Sequence, residues 1–214
     1  MEITTYADQI ASTPQQVPGP WGLLGGPLLL TPRAFSDDRG LFFESWNEPV
    51  FSQALREVGA DAEAVAQLRF VQDNHSRSSG GVLRGLHYQL PPHPQGKLVR
   101  CVVGEIFDVA VDIRLGSPSF GQWVGASLSA ANRQQLWVPP GFAHGFLTLS
   151  EHAEVLYKTT DLWSRECERA IRWDDPQLAI AWPSLEWGMT APLLSPKDGA
   201  APTLATISRH NLFG

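Results

Sequence analysis

Apolar and polar residues alternate over much of this chain, and a period of two predicts strands. The clearest case is 107–114. Phe107, Val109, Val111 and Ile113 fall on one face, with Asp108, Ala110, Asp112 and Arg114 on the other, so this segment reads as a strand with one apolar and one polar face. Further strand-like runs lie at 28–31, 41–46, 70–75, 82–89, 98–103, 123–128, 135–138, 145–149 and 155–160. Turn residues separate them: Ser36-Asp37-Asp38-Arg39-Gly40, Gly104-Glu105 and Gly116-Ser117-Pro118. There Asp bonds its neighbouring backbone and Gly tolerates positive φ.

Helical spacing is confined to one region. Val50, Phe51, Ala54, Leu55 and Val58 predict a short helix over 49–58 that ends near Gly59, and 61–68 predicts one or two more turns capped by Asp61. Short strands with turns between them predict a mainly β fold, an antiparallel sandwich or barrel with a few short helices. Residues 1–24 carry little pattern and read as an N-terminal extension with a linker over 15–20, while 25–214 reads as a single domain. Toward the end the apolar residues are isolated (Ile180, Trp182, Leu193, Leu194). That pattern predicts a tail that wraps a surface or delivers side chains into a pocket.

Composition narrows the class. The 214 residues are 43% hydrophobic and 18% charged, as in soluble globular proteins. A net charge of -6 argues against a protein that coats nucleic acid or an anionic membrane. It leaves room for a local basic pocket. Two cysteines, Cys101 and Cys167, are too few for a disulfide framework and lack metal spacing, which predicts a reduced, cytoplasmic protein. No signal-peptide pattern opens the chain, and no apolar run is long enough to span a bilayer.

Candidate chemistry concentrates at 81–97, which holds Arg84, His87, Tyr88, Gln89, His93 and Lys97. His87 is the candidate general base. Tyr157, on a later strand, is a second proton carrier, and Lys97 is an ammonium able to stabilise an oxyanion. Arg39, Arg84 and Lys197 would bind an anionic substrate. Strict alternation would point Arg84 and His87 to opposite faces, so their joint use requires Gly85 to mark a bulge. Glycine-rich nucleotide loops and the Gly-x-Ser-x-Gly elbow are absent. The histidines are His75, His87, His93, His144, His152 and His210, with no His-x-His pair. His87 and His144 would supply two metal ligands with no third in sight, so no metal is expected.

Several motifs in order carry a resemblance. They include Phe42-Phe43-Glu44-Ser45, Phe70-Val71-Gln72-Asp73-Asn74-His75-Ser76, Leu83-Arg84-Gly85-Leu86-His87-Tyr88-Gln89 and Gln95-Gly96-Lys97. The run from Gly104 to Arg114, Trp137-Val138-Pro139-Pro140-Gly141-Phe142-Ala143-His144-Gly145-Phe146 and Tyr157-Lys158 continue it. Over roughly 28–198 the chain resembles the dTDP-4-dehydrorhamnose 3,5-epimerases, metal-free cupin-type enzymes of deoxysugar biosynthesis.

The resemblance implies a cupin-like jelly-roll barrel, no cofactor, and epimerisation of dTDP-4-keto-6-deoxy-D-glucose at positions 3 and 5 through an enolate. It implies His87 as base, Asp198 (with Asp108 in reserve) as the carboxylate that orients it, Tyr157 as acid on the opposite face, and Lys97 near the enolate oxygen. Arg39, Glu44, Gln72, Asp73, Asn74, Arg84, His144, Glu168 and Lys197 match nucleotide-sugar contacts, and Trp163 matches an aromatic that stacks on thymine. A homodimer is implied, in which N-terminal segments contribute across the interface. An enzyme inverting only one centre, a metal-dependent cupin oxygenase and an inactive sugar-binding cupin are the alternatives. The chain departs from the family pattern before Leu28, around 54–68, and in an Ala-rich tail after Asp198.

Overall fold

The computed structural model describes residues 26–184 and 190–214, with the backbone of 2–5. The expected linker at 15–20 lies outside the described residues. Two antiparallel sheets face each other. One holds six strands in the order β1 (Glu2–Thr5), β2 (Leu28–Thr31), β10 (Gln135–Val138), β7 (Lys97–Val103), β12 (His152–Thr159) and β5 (Gln72–Ser79). The other holds β13 (Glu168–Ala170), β6 (Leu83–Gln89), β11 (Phe142–Thr148), β8 (Glu105–Asp112) and β9 (Trp123–Ser129). The mainly β antiparallel sandwich expected from the alternation is therefore the observed fold, as is the cupin-like form that the resemblance implies. Most expected strands fall within a few residues of their observed positions. The weakly patterned start of the chain nevertheless supplies β1, paired with β2.

Leu29, Val99, Ile106, Leu128, Leu136 and Phe146 fill the space between the sheets. The two expected helices lie outside, on the back of the six-stranded sheet. In α1 (Glu48–Glu57), the Asn47 side chain accepts from the Val50 N–H and Pro49 sits in the first turn, as a helix start requires. Phe51, Ala54 and Leu55 are its buried stripe and meet Leu28, Leu30, Leu98 and Trp137. In α2 (Ala62–Gln67), the Asp61 carboxylate caps the Ala64 N–H at 2.8 Å. The expected strand at 41–46 is shorter. It forms β4 (Gly40–Phe43), paired among the described strands only with β3 (Ala34–Asp37), in a separate hairpin on which Phe35, Leu41 and Phe42 are exposed.

The segment 107–114 has the two faces that its alternation predicts, and its polar face is enclosed, since Asp108, Ala110 and Asp112 are fully buried. Ile106 and Ala110 belong to the core between the sheets. The apolar face, with Val109, Val111 and Ile113, is the outer one, and Ile171, Leu178 and Leu212 cover it. Both faces of β8 are dry because the late part of the chain wraps the outside of its sheet. Burial of this apolar area is the term that holds the wrap in place.

Candidate active site

Gly85 decides which side chains meet. In the β6–β11 ladder His144 pairs with His87, but Phe146 pairs with Arg84, so three steps on β6 oppose two on β11. This bulge lets Arg84 and His87 turn toward the same cavity. Gly85 has φ +131°, and a Cβ there would lie 2.5 Å from the Gly145 Cα. Only glycine allows the two backbones to touch at that point. The irregularity that joint use of Arg84 and His87 demanded is present.

The cavity measures about 280 Å³, and Arg84, His87, Lys97, His144, Tyr157 and Asp198 line it. A smaller, adjoining recess of about 130 Å³ is lined by Gln72, Asn74, Trp163 and Glu168 and shares His87, Lys97 and Tyr157. His87 Nε2 stands 2.5 Å from Asp198 Oδ1. Asp198 comes from the far end of the chain, on the single turn α3 (Pro196–Gly199). Ser195 caps that turn: its hydroxyl accepts from the Asp198 N–H and donates to Asp198 Oδ2 at 2.9 Å. Burial alone would raise the Asp198 carboxyl. The hydrogen bonds and charge of His87, with help from Ser195 and Lys197, outweigh it and hold the pKa below the ordinary value. Asp198 is thus an anion beside the imidazole.

Asp108 does not bond to His87. Its Oδ1 lies 2.7 Å from His144 Nε2, and both side chains are buried. Burial pushes the His144 imidazole below its usual range, with Asp108 opposing. Lys97 Nζ donates to the His87 carbonyl at 3.3 Å. Burial lowers its pKa to about 8, with Asp108 and Glu168 opposing. Tyr157 projects inward from β12, packed against the core between the sheets. Burial raises its pKa, so it keeps its proton at neutral pH. A neutral acid and a carboxylate-backed imidazole share one cavity with a buried ammonium. This arrangement suits the removal and return of a carbon-bound proton.

The remaining expected residues divide. Glu168 and Lys197 form an ion pair at 2.6 Å beside Asp198. The Trp163 N–H donates to Gln72 Oε1 at 3.2 Å, which ties the exposed Trp163 to the recess. Arg84 is held by Ser78 and by the Arg77 carbonyl. Asp73 faces the other way. It pairs with Lys158 and lines a separate pocket of about 240 Å³ with Arg100 and Gln135. Arg39 and Glu44 lie at the β3–β4 hairpin, exposed and apart from the cavity, with Arg39 bonded to Asp37. Tyr88 is buried on the outer face and His93 pairs with Asp161 near the rim. Ser195 was not anticipated, although Ser-Pro followed by an acid two residues on is a helix-start signature. Among the described residues, no three His, Cys, Asp or Glu side chains group closely enough to hold a metal ion.

Comparison with known proteins identifies the family of the chain. The profile of the dTDP-4-dehydrorhamnose 3,5-epimerase family matches residues 23–206. A dTDP-4-dehydrorhamnose 3,5-epimerase of Pseudomonas aeruginosa is 58% identical over 171 residues, 80% of this chain and 87% of the relative. The crystal structure of a dTDP-6-deoxy-D-glucose-3,5-epimerase from Legionella pneumophila, in complex with dTDP-4-keto-L-rhamnose, superposes with a TM-score of 0.78 at 49% identity, covering 87% of this chain and 92% of that one. A 3'-monoepimerase from Streptomyces bikiniensis bound to dTDP-quinovose superposes at 0.75 with 35% identity, over 88% and 89%.

Proposed function

Since this chain belongs to the dTDP-4-dehydrorhamnose 3,5-epimerase family, we propose that it converts dTDP-4-keto-6-deoxy-D-glucose to dTDP-4-keto-L-rhamnose by inverting positions 3 and 5. The observation that carries this reading is the His87–Asp198 pair, which shares a cavity with Tyr157. The C4 ketone acidifies the protons on its two neighbouring carbons. His87 takes one of them through the ring nitrogen not bonded to Asp198. The electron pair moves onto the ketone oxygen, and the resulting enolate is stabilised by Lys97. An aimed donor of this kind contributes on the order of 3–4 kcal/mol. Tyr157 then gives its proton to the same carbon from the opposite face, and the centre is inverted. His87 then gives up its proton to solvent and Tyr157 regains one from it, and a second round inverts the other carbon. No electrons are gained or lost, so this route uses no cofactor.

Arg84 and Lys197 are the diphosphate ligands within the chain, since charge-assisted bonds suit phosphate. Gln72, Asn74, Trp163 and Glu168 are assigned to the nucleoside side. The hairpin supports a homodimer. Phe35, Leu41 and Phe42 expose an apolar surface beside Arg39 and Glu44, and a second copy would cover it while receiving those two polar side chains. The two cysteines are free and buried, which fits a cytoplasmic enzyme. No helix among the described residues is long and apolar enough to cross a membrane.

The test is NMR of the keto-sugar in deuterated water. Deuterium is expected at both C3 and C5, with the L-rhamno product formed. His87→Ala should lose about 10²–10⁴-fold in exchange, the contribution of a general base. Exchange at C3 alone would identify a single-centre epimerase instead. Full exchange in His87→Ala would sink the assignment.

A further inference from the structure

Residues 207–214 lie beyond the span matched by the family profile, yet they are bound to the sheet that carries His87. Leu212 is buried against its outer face. The Phe213 N–H donates to the Ile113 carbonyl, and the Leu115 N–H donates to the Phe213 carbonyl. Asn211 makes the most specific contacts. Its carbonyl accepts from the Tyr88 hydroxyl, and its Oδ1 accepts from Arg169 Nε at 2.8 Å.

Tyr88 and Arg169 are cross-strand partners in the β6–β13 ladder. Their neighbours on the opposite face are His87, Gln89 and Glu168, all of which line the recess beside the base. The chain between Asp198 and Asn211 thus passes from the inner face of these two strands to the outer one. Inside, Asp198 holds His87 on β6, and Lys197 holds Glu168 on β13. Outside, Asn211 holds Tyr88 on β6 and Arg169 on β13. Buried Asp175 anchors the path midway, where its Oδ2 accepts from the Leu204 N–H at 2.7 Å. The arrangement matters because β13 is a three-residue strand at the sheet edge, paired only with β6 among the described strands.

We propose that Asn211 is a positioning residue for the epimerisation site. It clasps β13 to β6 from the outside and thereby sets where Glu168, Lys197 and Asp198 stand relative to His87. This inference rests on the epimerase reading above. Asn211 touches no substrate and acts through the strands.

The test compares Asn211→Ala, Asn211→Asp and Tyr88→Phe with the unaltered protein. Two readouts are used besides thermal unfolding: kcat and KM for the keto-sugar, and the low-field NMR resonance of the proton shared by His87 and Asp198, recorded without substrate. Asn211→Ala is expected to lower kcat about tenfold with KM nearly unchanged, as small displacements of reacting groups do, and to broaden the low-field resonance. Asn211→Asp should restore both, because its carboxylate still accepts from Arg169. Tyr88→Phe should shift them in the same direction as Asn211→Ala. The clasp is overturned if Asn211→Ala keeps the native kcat and a sharp resonance. It is also overturned if the losses match only the fraction of unfolded protein, or if Asn211→Asp fails to restore them. Because the resonance needs no substrate, failure of the epimerase reading would show separately, as absent exchange in the unaltered protein.

Discussion

His87 and His144 are partners in the β6–β11 ladder, and each is bonded through Nε2 to an aspartate. The two pairs use the same chemistry in different surroundings. His144 and Asp108 come from adjacent strands of one sheet and are almost fully enclosed, so burial holds the imidazole neutral. The His87 side chain keeps 29% of its surface open to the cavity, and its aspartate arrives on a capped turn from the end of the chain. An enclosed pair can hold a hydrogen bond in place. A general base must also reach a proton on a ligand and release it again. Accessibility on one side and a buried carboxylate on the other support the role of base proposed for His87.

The sharpest way to break this comparison is to remove one aspartate at a time. Asp198→Asn should cost on the order of 10³–10⁴-fold in exchange at C3 and C5, because the imidazole loses the partner that sets its tautomer. Equal losses in Asp198→Asn and Asp108→Asn would erase the distinction between the pairs. Next in size is Tyr157→Phe. It should still allow deuterium to enter through His87 while the inverted product falls by about 10²-fold or more. A full yield of inverted product from Tyr157→Phe would remove Tyr157 from the mechanism.

Lys97→Met should lower kcat by about 10²–10³-fold, the worth of one oxyanion donor. The same change bears on stability. The buried amine titrates near 8 in place of 10.5, so between those values the unfolded chain binds more protons than the folded one and stability rises with pH. Below about 8 the cost of burying the charge is present in full. Lys97→Met is therefore expected to raise the unfolding temperature at pH 7, with the gain shrinking toward pH 10.5, as calorimetry across pH would record. Native activity should fall as pH passes about 8 and Lys97 loses its proton.

The smallest expected effect is at the enclosed pair. Asp108→Asn removes a charge that raises the His144 pKa, so the His144 titration, followed by NMR, should move further down. Its exchange rate should fall less than that of Asp198→Asn. His144 is already shifted below 6.5 in the folded protein. The unfolded chain therefore takes up its proton first as pH drops, and this pair withdraws stability below about 6.5. An upward shift of the His144 titration in Asp108→Asn would contradict the role assigned to Asp108.

Much of this was legible in the residue pattern, for local reasons. Alternation marks strands because side chains on a strand point to opposite sides in turn, and Asn47 and Asp61 mark helix starts because free N–H groups need acceptors. Gly85 was legible as a bulge because Arg84 and His87 could not otherwise share a face. What covers each face of β8 was not legible, for an equally physical reason. Alternation tells which residues share a side, but what covers each side depends on segments remote in sequence. The outer apolar face needed Ile171, Leu178 and Leu212 to arrive, and the inner polar face needed His144 within hydrogen-bond reach of Asp108.

By itself the sequence determined the positions of most strands and of the two longer helices, the order of motifs that places the chain in its family, and the candidate proton carriers. Those follow from short-range periodicity and from the identity of side chains. The tertiary structure decided which carboxylate bonds which histidine, which way Asp73 points, and that the tail contacts the strand carrying His87 from both faces. Each of these is a contact across many residues, such as the bonds from Asp198 to His87 and from Asn211 to Arg169. Such contacts exist only once burial of the two sheets and the wrap outside them has paid the entropy of bringing distant segments together.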